Sequence, residues 1–409
     1  MNKSCYDAVD VNMKSWFRIA VGLMAALAAG PGRAEILPPA KAAAEGAYAA
    51  RTVMLTDLVS KTRLERRLPV RVHYPAAEGA WPVVILSHGG GGNVDSNFAQ
   101  AKHLASHGFM VCCLEHVGSN ADRLRSKVKL SLRDMTRDRE EVLGRPMDVK
   151  ELLDQIELWN GGHDELWGKF DLEHVAVMGH SFGAYTALVT CGARPALDWL
   201  ERKPTETLKL DKNFLRSRVE SGLGPSLSDP RVDVGVALSP PGPGEPFFLE
   251  ESFATIDRPV LGISGSEDRQ PGASPENRKR FVELTPSTGT LLLWLFGADH
   301  TAFSDPSGSG LSAVPSDSRD SVQPVIRAAT LYFLDAYLKG RKEELAMLKG
   351  QTLLPLAGGR VTSVEVLRRG NIGPAEFKGS AKAEDPEPPA EAKPLHLRDL
   401  LGGTRRKEP

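Results

Sequence analysis

The chain contains a series of short, nearly continuous apolar segments that alternate with longer stretches of helical periodicity. The apolar segments have the composition of strands that are buried on both faces of a sheet: WPVVILSHG, FMVCCLEH, HVAVMGH, RVDVGVALS, RPVLGISG and GTLLLWLFG. Apolar residues recur at helical spacing in RPMDVKELLDQIELW and PVIRAATLYFLDAYLKG. This alternation predicts an α/β fold, in which helices cover both faces of a mostly parallel central sheet.

Composition and charge exclude several classes of protein. The 409 residues are 41% hydrophobic and 25% charged, which is ordinary for a globular protein with a large core. The formal net charge of -1 gives no electrostatic reason to expect nucleic acid or an anionic membrane as a partner. The cysteines follow no disulfide framework and are interpreted as small buried apolar residues.

The N-terminus has the features of a secretory signal peptide. Lys14 and Arg18 precede the apolar run IAVGLMAALAAG, and small residues then lead to Glu35. We therefore predict a signal peptide over residues 1–34, with Met13 as an alternative start and a buried helix or uncleaved anchor as the alternative interpretation. The apolar run is shorter than the roughly 20 residues of a membrane-spanning helix, so no stable membrane span is expected after cleavage. The predicted location is periplasmic or secreted.

The rest of the chain divides by composition. The strand and helix pattern predicts one catalytic domain over residues 50–340, and the mixed polarity of 192–230 indicates a possible cap insertion within it. The segment 118–144 carries charges of both signs and is predicted to be a solvated loop and helix. Residues 370–409 are rich in Lys, Glu, Pro and Ala and are predicted to form a disordered tail.

The segment VAVMGHSFGAYTAL places a serine between two glycines where a strand turns into a helix. Gly179 and Gly183 would let the chain fold closely on itself, and the hydroxyl of Ser181 would then be exposed at the end of the sheet. The N-terminus of the following helix favours negative charge that develops beside it. We therefore predict that Ser181 is a catalytic nucleophile, and the alternative is a structural glycine turn with an idle serine.

A serine nucleophile needs a base, and the base needs a carboxylate that fixes its tautomer. His300 follows the last predicted strand in LFGADHTAF and comes after the serine in the chain, as this arrangement requires. Asp268 and its neighbour Glu267 follow a strand between the two in LGISGSEDRQP. We choose Asp268 as the acid and keep Glu267 as the main alternative, while Asp299 is less suitable because it adjoins the histidine.

The tetrahedral intermediate of acyl transfer also needs hydrogen-bond donors aimed at its oxyanion. One predicted donor is the backbone N–H of Phe182, directly after the nucleophile. The second is expected from the glycine-rich segment SHGGGGN, where we choose Gly90 and keep Gly89 and Gly91 as alternatives. A phosphate-binding loop is the competing interpretation, but this segment lacks the Lys-Ser/Thr pair of a P-loop.

Taken together, these stretches resemble the α/β-hydrolase superfamily over roughly residues 50–340. The resemblance is greatest to the branch that holds bacterial predicted dienelactone hydrolases, platelet-activating factor acetylhydrolase-like enzymes and secreted polyester hydrolases. It implies nucleophile, acid and base roles for Ser181, Asp268 and His300, and oxyanion donors at Gly90 and Phe182. Dienelactone hydrolases proper use a cysteine nucleophile, so the serine favours ordinary carboxylic esters.

Together with the predicted signal peptide, these residues predict an exported serine hydrolase of carboxylic esters that needs no metal or cofactor. Its expected partner is a small-molecule or lipid ester, and Gly91, Phe247 and Phe248 are predicted to line the substrate pocket. A lipid acetylhydrolase, an amidase or an acyltransferase could use the same residues. The alternative from another class is a catalytically inactive binding protein on the same fold.

Overall fold

The computed structural model describes residues 35–60, 63, 65–126, 132–163, 165–197, 223–244, 246–270, 273–305 and 314–371. Some of the predicted segments lie wholly or partly outside these residues. They are the signal peptide over 1–34, the part of the charged segment that spans 127–131, the part of the possible cap insertion that spans 198–222, and the tail from residue 372 onward.

The described residues form a sheet of nine strands and a separate two-stranded hairpin. The strands are β1 (Ala50–Leu55), β2 (Val59–Ser60), β3 (Arg66–Arg67), β4 (Val70–Pro75), β5 (Trp81–Ser87), β6 (Met110–Leu114), β7 (Phe170–His180), β8 (Val234–Leu238), β9 (Val260–Glu267), β10 (Leu291–Asp299) and β11 (Val364–Leu367). Their order in the large sheet is β1-β4-β6-β5-β7-β8-β9-β10-β11, and β2 pairs with β3.

The six strands from β6 to β10 in this order run parallel to one another. Antiparallel pairs occur only toward the two ends of the sheet, where β4 pairs with β1 and β6, and β11 pairs with β10. Because parallel strands all end at the same edge, the loops that follow β5, β7, β8, β9 and β10 lie together there. The predicted α/β fold with a mostly parallel sheet is confirmed.

Helices flank the sheet, and their bounds are α1 (Pro39–Ala43), α2 (Phe98–Ser106), α3 (Ala121–Ser126), α4 (Leu132–Arg137), α5 (Arg139–Gly162), α6 (Phe182–Thr190), α7 (Pro275–Leu284), α8 (Arg319–Leu338) and α9 (Gly350–Leu353). Short 3-10 turns occupy Glu250–Phe253, His300–Phe303, Lys342–Met347 and Leu354–Leu356. On one face, Val84 and Leu86 of β5 join a core cluster with Leu331 of α8. The alternate residues Val83 and Ile85 are also fully buried, which explains the continuous apolar runs.

Helix α5 is longer than the sequence predicted. It was expected over residues 145–159, but it begins at Arg139, where the side chain of Asp138 accepts a hydrogen bond from the backbone N–H of Glu140 at 3.0 Å. Pro146 therefore lies inside the helix and cannot bond the carbonyl four residues before it. That carbonyl, on Val142, instead accepts a hydrogen bond from the Tyr185 hydroxyl of α6 at 2.9 Å.

The prediction that segment 118–144 is solvated is wrong at Glu141, which is only 4% exposed. Arg66 donates to Glu141 at 2.9 Å and to Asp148 at 2.9 Å, and Arg63 also pairs with Asp148. These four residues form a buried ion-pair cluster, which we call the α5 ionic cluster, and it fixes the β2–β3 hairpin to helix α5. The charge pattern of segment 118–144 did not reveal this burial, because Arg66, which pairs with Glu141, lies outside the segment.

Packed elements extend beyond the predicted limits of 50 and 340. Before residue 50, the Leu37 carbonyl accepts a hydrogen bond from the Tyr332 hydroxyl of α8 at 2.7 Å, and the Ala43 carbonyl accepts one from Arg327 at 2.9 Å. After residue 340, β11 pairs with β10 and covers what would otherwise be an exposed sheet edge. Within the described ranges, no helix combines the length and the apolar character needed to cross a membrane.

Candidate active site

Ser181 alone connects strand β7 to helix α6. Its backbone has φ 55° and ψ −113°, a left-handed conformation that a residue other than glycine adopts only when its surroundings enforce it. The neighbouring strand enforces it here, because the Ser181 N–H donates to the Leu238 carbonyl at the end of β8 at 2.9 Å. The turn thus holds the serine at the edge where the parallel strands end.

The two glycines around this serine are needed because β5 passes very close to the turn. A Cβ atom on Gly179 would lie 2.6 Å from the Ser87 carbonyl oxygen, and one on Gly183 would lie closer still to the same oxygen. No side chain larger than hydrogen fits at either position unless the backbone moves. The sequence predicted that these glycines let the chain fold closely on itself, and the distances to β5 agree with this reason.

His300 follows β10 directly and begins the short 3-10 turn His300–Phe303. Its Nε2 atom lies 3.1 Å from Ser181 Oγ, and its Nδ1 atom lies 2.7 Å from Asp268 Oδ1. The adjacent Asp299 faces away, because its carboxylate accepts hydrogen bonds from the backbone N–H groups of Thr301 and Ala302. The structure therefore brings together the three side chains that the sequence selected.

Asp268 faces the histidine and is fully buried, whereas the neighbouring Glu267 is exposed. Ser264 donates to Asp268 Oδ2 at 2.7 Å, and Arg278 Nε lies 3.2 Å from Oδ1. Burial alone would raise the pKa of the Asp268 carboxyl, but the nearby Arg278 guanidinium and His300 imidazole hold that pKa well below its usual range. Asp268 is consequently a carboxylate at neutral pH.

Ser239 also contacts this pair, and sequence reasoning missed it. Its hydroxyl lies 3.1 Å from Asp268 Oδ1 and 2.9 Å from His300 Nδ1, and its side chain is fully buried. The Ser239 backbone has φ 55°, so it is a second serine with a left-handed conformation at this site. One signal was available in the sequence: Ser239 stands at the end of the predicted strand RVDVGVALS, where the loops of a parallel sheet meet.

His180 is a second residue whose role the sequence did not indicate. It was expected to point away into the fold, and it is buried, but its Nε2 atom donates to the His300 carbonyl at 3.0 Å. Burial, together with the positive charge that His300 can carry, lowers the pKa of His180 to about 3. His180 is therefore a neutral imidazole that holds the backbone of the His300 turn.

The glycine-rich segment after β5 contains N–H groups without a partner. The Gly91 N–H donates to the Ser119 carbonyl at 2.8 Å, and the Gly92 N–H donates to the Gly89 carbonyl at 3.1 Å. In the part of the chain that the structure describes, the N–H groups of Gly89, Gly90 and Phe182 have no acceptor. Of the two alternative oxyanion donors in the sequence analysis, Gly91 is thus already engaged, whereas Gly89 remains available together with Gly90.

The predicted pocket residues Phe247 and Phe248 belong to a packed aromatic cluster beside α6. Phe248 is fully buried and Phe247 is 8% exposed. The Phe247 ring stacks on Phe182 and Tyr185, at centroid distances of 5.2 and 4.6 Å. Gly91, the third predicted pocket residue, is buried in the loop. The assignment of these three residues to a substrate pocket stays a prediction.

A family model described as platelet-activating factor acetylhydrolase, isoform II, matches residues 45–214. The matched range begins before β1 and includes β7, Ser181 and the whole of α6. The match and the mostly parallel sheet show that the chain has the α/β-hydrolase fold. Its resemblance to the acetylhydrolases is confirmed over the matched residues, and it supports serine hydrolase activity on a small-molecule or lipid ester. Asp268 and His300 lie beyond the match.

The described residues offer no site of the usual kind for a metal ion. No group of three or more His, Cys, Asp or Glu side chains in those ranges is arranged to hold one. The three described cysteines, Cys112, Cys113 and Cys191, are all buried, and burial raises the pKa of each thiol well above its usual range. Each of these thiols therefore stays protonated at neutral pH.

Proposed function

We propose that this α/β-hydrolase is a serine hydrolase that cleaves carboxylic esters through an acyl-enzyme. The observation that carries the proposal is the hydrogen-bonded series Ser181 Oγ, His300 Nε2, His300 Nδ1 and Asp268 Oδ1, with end contacts of 3.1 and 2.7 Å. Asp268 accepts a hydrogen bond from the Nδ1–H group of His300, which keeps Nε2 unprotonated and able to take the proton of the serine hydroxyl. The hydroxyl oxygen then attacks the acyl carbon of the ester.

Attack converts the ester carbonyl oxygen into an oxyanion. The N–H groups of Phe182 and Gly90 are the proposed donors to it, and the N-terminus of α6 adds a favourable dipole. When the tetrahedral intermediate collapses, His300 Nε2 returns its proton to the leaving alcohol. Water then attacks the acyl-enzyme by the same route and releases the acid. Loss of one oxyanion donor lowers kcat by about 100-fold to 1000-fold in comparable sites.

A lipid acetylhydrolase is the second candidate, and the match to the platelet-activating factor acetylhydrolase family favours it. Its substrate would be a short acyl group, such as acetyl, on a lipid alcohol. A series of p-nitrophenyl esters from acetate to palmitate tests acyl length. The acetylhydrolase candidate expects the highest kcat/KM at acetate, whereas a maximum at long chains would contradict it. Hydrolysis of amides or transfer to an added alcohol would identify an amidase or an acyltransferase.

Export is also a proposal, and the composition of residues 1–34 supports it. We infer that the mature enzyme begins near Glu35 and acts in the periplasm or outside the cell. N-terminal sequencing of the protein recovered from a bacterial expression host tests this inference. A mature N-terminus near Glu35 in the periplasmic or extracellular fraction is expected, and an intact N-terminus on cytoplasmic protein would contradict it.

Covalent labelling with a fluorophosphonate tests the proposed chemistry. The probe reacts with a serine only when a base activates the hydroxyl, so wild type should be labelled at Ser181. Ser181→Ala should not be labelled, and Ser106→Ala, which removes a buried hydroxyl outside the site, should be labelled normally. A folded wild-type enzyme that takes up no probe would favour an inactive binding protein on this fold.

A further inference from the structure

Arg145 is a fully buried cation inside helix α5. Across the described residues no carboxylate lies within ion-pair distance of its guanidinium, although Glu141 and Asp148 are near enough to affect it. Burial lowers the pKa of Arg145 to about 9, and the two carboxylates offset part of that effect. The group is charged at neutral pH, and a buried charge without a direct ionic partner is costly to keep.

The guanidinium contacts the loop that carries Gly90. It donates to the His88 carbonyl at 2.7 Å and reaches the Gly89 carbonyl at 3.5 Å. Arg145 Nε also donates to the Ser119 hydroxyl at 3.0 Å, and Ser119 is the residue whose carbonyl holds the Gly91 N–H. Arg145 therefore contacts the loop directly before Gly90, and it contacts the residue after Gly90 indirectly, through Ser119.

The contacts to the Gly89 carbonyl determine where the Gly90 N–H points. These two groups belong to one peptide unit, and in a trans peptide they point in opposite directions. His88 Nδ1, at 2.6 Å, and the Gly92 N–H, at 3.1 Å, hold the Gly89 oxygen inside the loop together with Arg145. The Gly90 N–H is consequently directed to the opposite side of the peptide unit, away from these groups.

The loop passes directly beside the nucleophile. A Cβ atom on Gly89 would lie 3.7 Å from Ser181 Cβ, so Gly89 is adjacent to the side chain of the proposed nucleophile. The same guanidinium also contacts the second donor segment, because its Cζ atom lies 4.0 Å from the centre of the Phe182 ring. A cation in this position is attracted by the ring face and fixes the first residue of α6.

We propose that Arg145 is a positioning residue that aligns both oxyanion donors and places a positive charge beneath them. The inference rests on the proposed function and deepens it. Negative charge on the substrate oxygen is larger in the transition state than in the bound ester, so a fixed positive charge in a water-excluded site stabilises the transition state more. Its removal should therefore lower kcat and leave KM nearly unchanged.

Arg145→Met removes the charge and the donors but keeps most of the side-chain volume. We expect kcat for p-nitrophenyl acetate to fall about 100-fold, as for a lost or misplaced oxyanion donor, with KM within about threefold of wild type. An alkyl boronic acid forms a tetrahedral adduct with an active serine, so its affinity should fall by a similar factor. Arg145→Lys keeps the charge without the planar group and should lose less.

Arg63→Met is the matched control. Arg63 is equally buried and pairs with Asp148 in the α5 ionic cluster, but it donates to the Gly144 carbonyl rather than to the glycine-rich loop. It should lower the melting temperature and leave kcat and boronic acid affinity within about threefold of wild type. If Arg63→Met lost kcat as Arg145→Met does, the effect would come from the cluster, and the inference would be overturned.

A second variant covers the case in which Arg145→Met does not fold. Ser119→Ala removes one hydrogen-bond partner of Arg145 and leaves the Ser119 carbonyl that holds Gly91. It should lower kcat and boronic acid affinity by at least about tenfold, as for one lost hydrogen bond to a charged group. Unchanged kcat in a folded Arg145→Met or Ser119→Ala variant would overturn the inference alone. A wild type that takes up no fluorophosphonate would overturn the proposed function, and the inference with it.

Discussion

Ser239 shows how a residue outside the predicted triad can organise it. Its hydroxyl lies within hydrogen-bond distance of both Asp268 Oδ1 and His300 Nδ1, so it bridges the acid and the base. Its left-handed backbone, at φ 55°, is a conformation that costs on the order of 1–3 kcal/mol at a residue other than glycine. A strained residue that aims its side chain at this pair is expected to affect turnover rather than substrate binding.

Replacement of Ser239 tests this expectation. Ser239→Ala should lower kcat about tenfold, which corresponds to one hydrogen bond of about 1–1.5 kcal/mol, and should change KM little. Ser239→Gly removes the same hydroxyl and relieves the backbone conformation, so its kcat should match that of Ser239→Ala. Steady-state hydrolysis of p-nitrophenyl acetate measures both variants. A normal kcat in Ser239→Gly would show that the hydroxyl has no role.

The sequence predicted the triad better than it predicted the groups around it. Chain order and the position after a strand selected Ser181 and His300 because both are local features of strand ends. The choice of Asp268 over Glu267 remained open, since adjacent residues point in opposite directions and no sequence pattern tells which faces inward. Ser239 and Arg145 act through contacts with segments far along the chain, and no short motif marks such contacts.

At the level of secondary-structure elements, the β7–α6 turn depends on a backbone approach that one methyl group would prevent. Gly183→Ala would place Cβ against the Ser87 carbonyl oxygen, so we expect it to lower the free energy of unfolding by at least about 3 kcal/mol and to abolish fluorophosphonate labelling. Gly161→Ala in α5 is the control, because a Cβ there meets nothing within 4 Å. That control should gain about 0.5–1 kcal/mol, and urea unfolding measures both.

The junction after α8 carries a carboxyl group that makes stability depend on pH. Glu344 is 2% exposed, and burial together with the Asp335 carboxylate raises its pKa from 4.5 to about 7 despite the nearby Arg341. The folded state therefore holds this proton more tightly than the unfolded chain. Below pH 4.5 both states are protonated, so stability is lost as pH rises from 4.5 to 7 and stays reduced above it.

Glu344→Gln removes the titration and keeps the shape of the side chain. We expect the variant to melt at a higher temperature than wild type at pH 8 and at nearly the same temperature at pH 4. Differential scanning calorimetry across this range gives the comparison. Glu343→Gln, one residue earlier in the same 3-10 turn, is the control, because Glu343 is partly exposed whereas Glu344 is buried. A difference for Glu344→Gln that did not grow with pH would contradict the assigned cause.

Helix α5 explains why element boundaries were only partly predictable. The apolar spacing in RPMDVKELLDQIELW predicts a helix that begins at Arg145, so that Pro146 would lie in its first turn, where proline is favoured. The helix continues past this proline toward the N-terminus because Tyr185 of another helix satisfies the Val142 carbonyl that the proline cannot bond. The sequence holds both partners, but only the packing of α5 on α6 brings them together.

For the whole molecule, the segment before β1 tests where the folded unit begins. Ala42 is fully buried, its carbonyl accepts from His103 of α2 at 2.9 Å, and the neighbouring Ala43 carbonyl accepts from Arg327 of α8. A chain that begins at Gly46 should therefore melt several degrees below one that begins at Glu35, given two or three lost hydrogen bonds of about 1 kcal/mol each. Equal melting temperatures would show that this segment adds nothing.

The parallel sheet was predictable because buried strands have a composition of their own, whereas the order of the strands was not. β6 follows β5 in the chain, yet β5 lies between β6 and β7 in the sheet. The predicted limits of 50 and 340 missed α1 and β11 because a short helix and a four-residue strand are too short to show periodicity. Helix α1 packs against α8 and strand β11 pairs with β10, so the positions of both depend on contacts with distant segments.

During synthesis of the chain, Ser181 is made well before the groups that are proposed to activate it. Ser181 and both proposed oxyanion donors come from the first half of the polypeptide, and the imidazole follows 119 residues later. A ribosome-bound chain therefore carries an inert alcohol until β10 has joined the sheet. Hydrolytic turnover during refolding should accordingly appear only after β10 has joined the sheet.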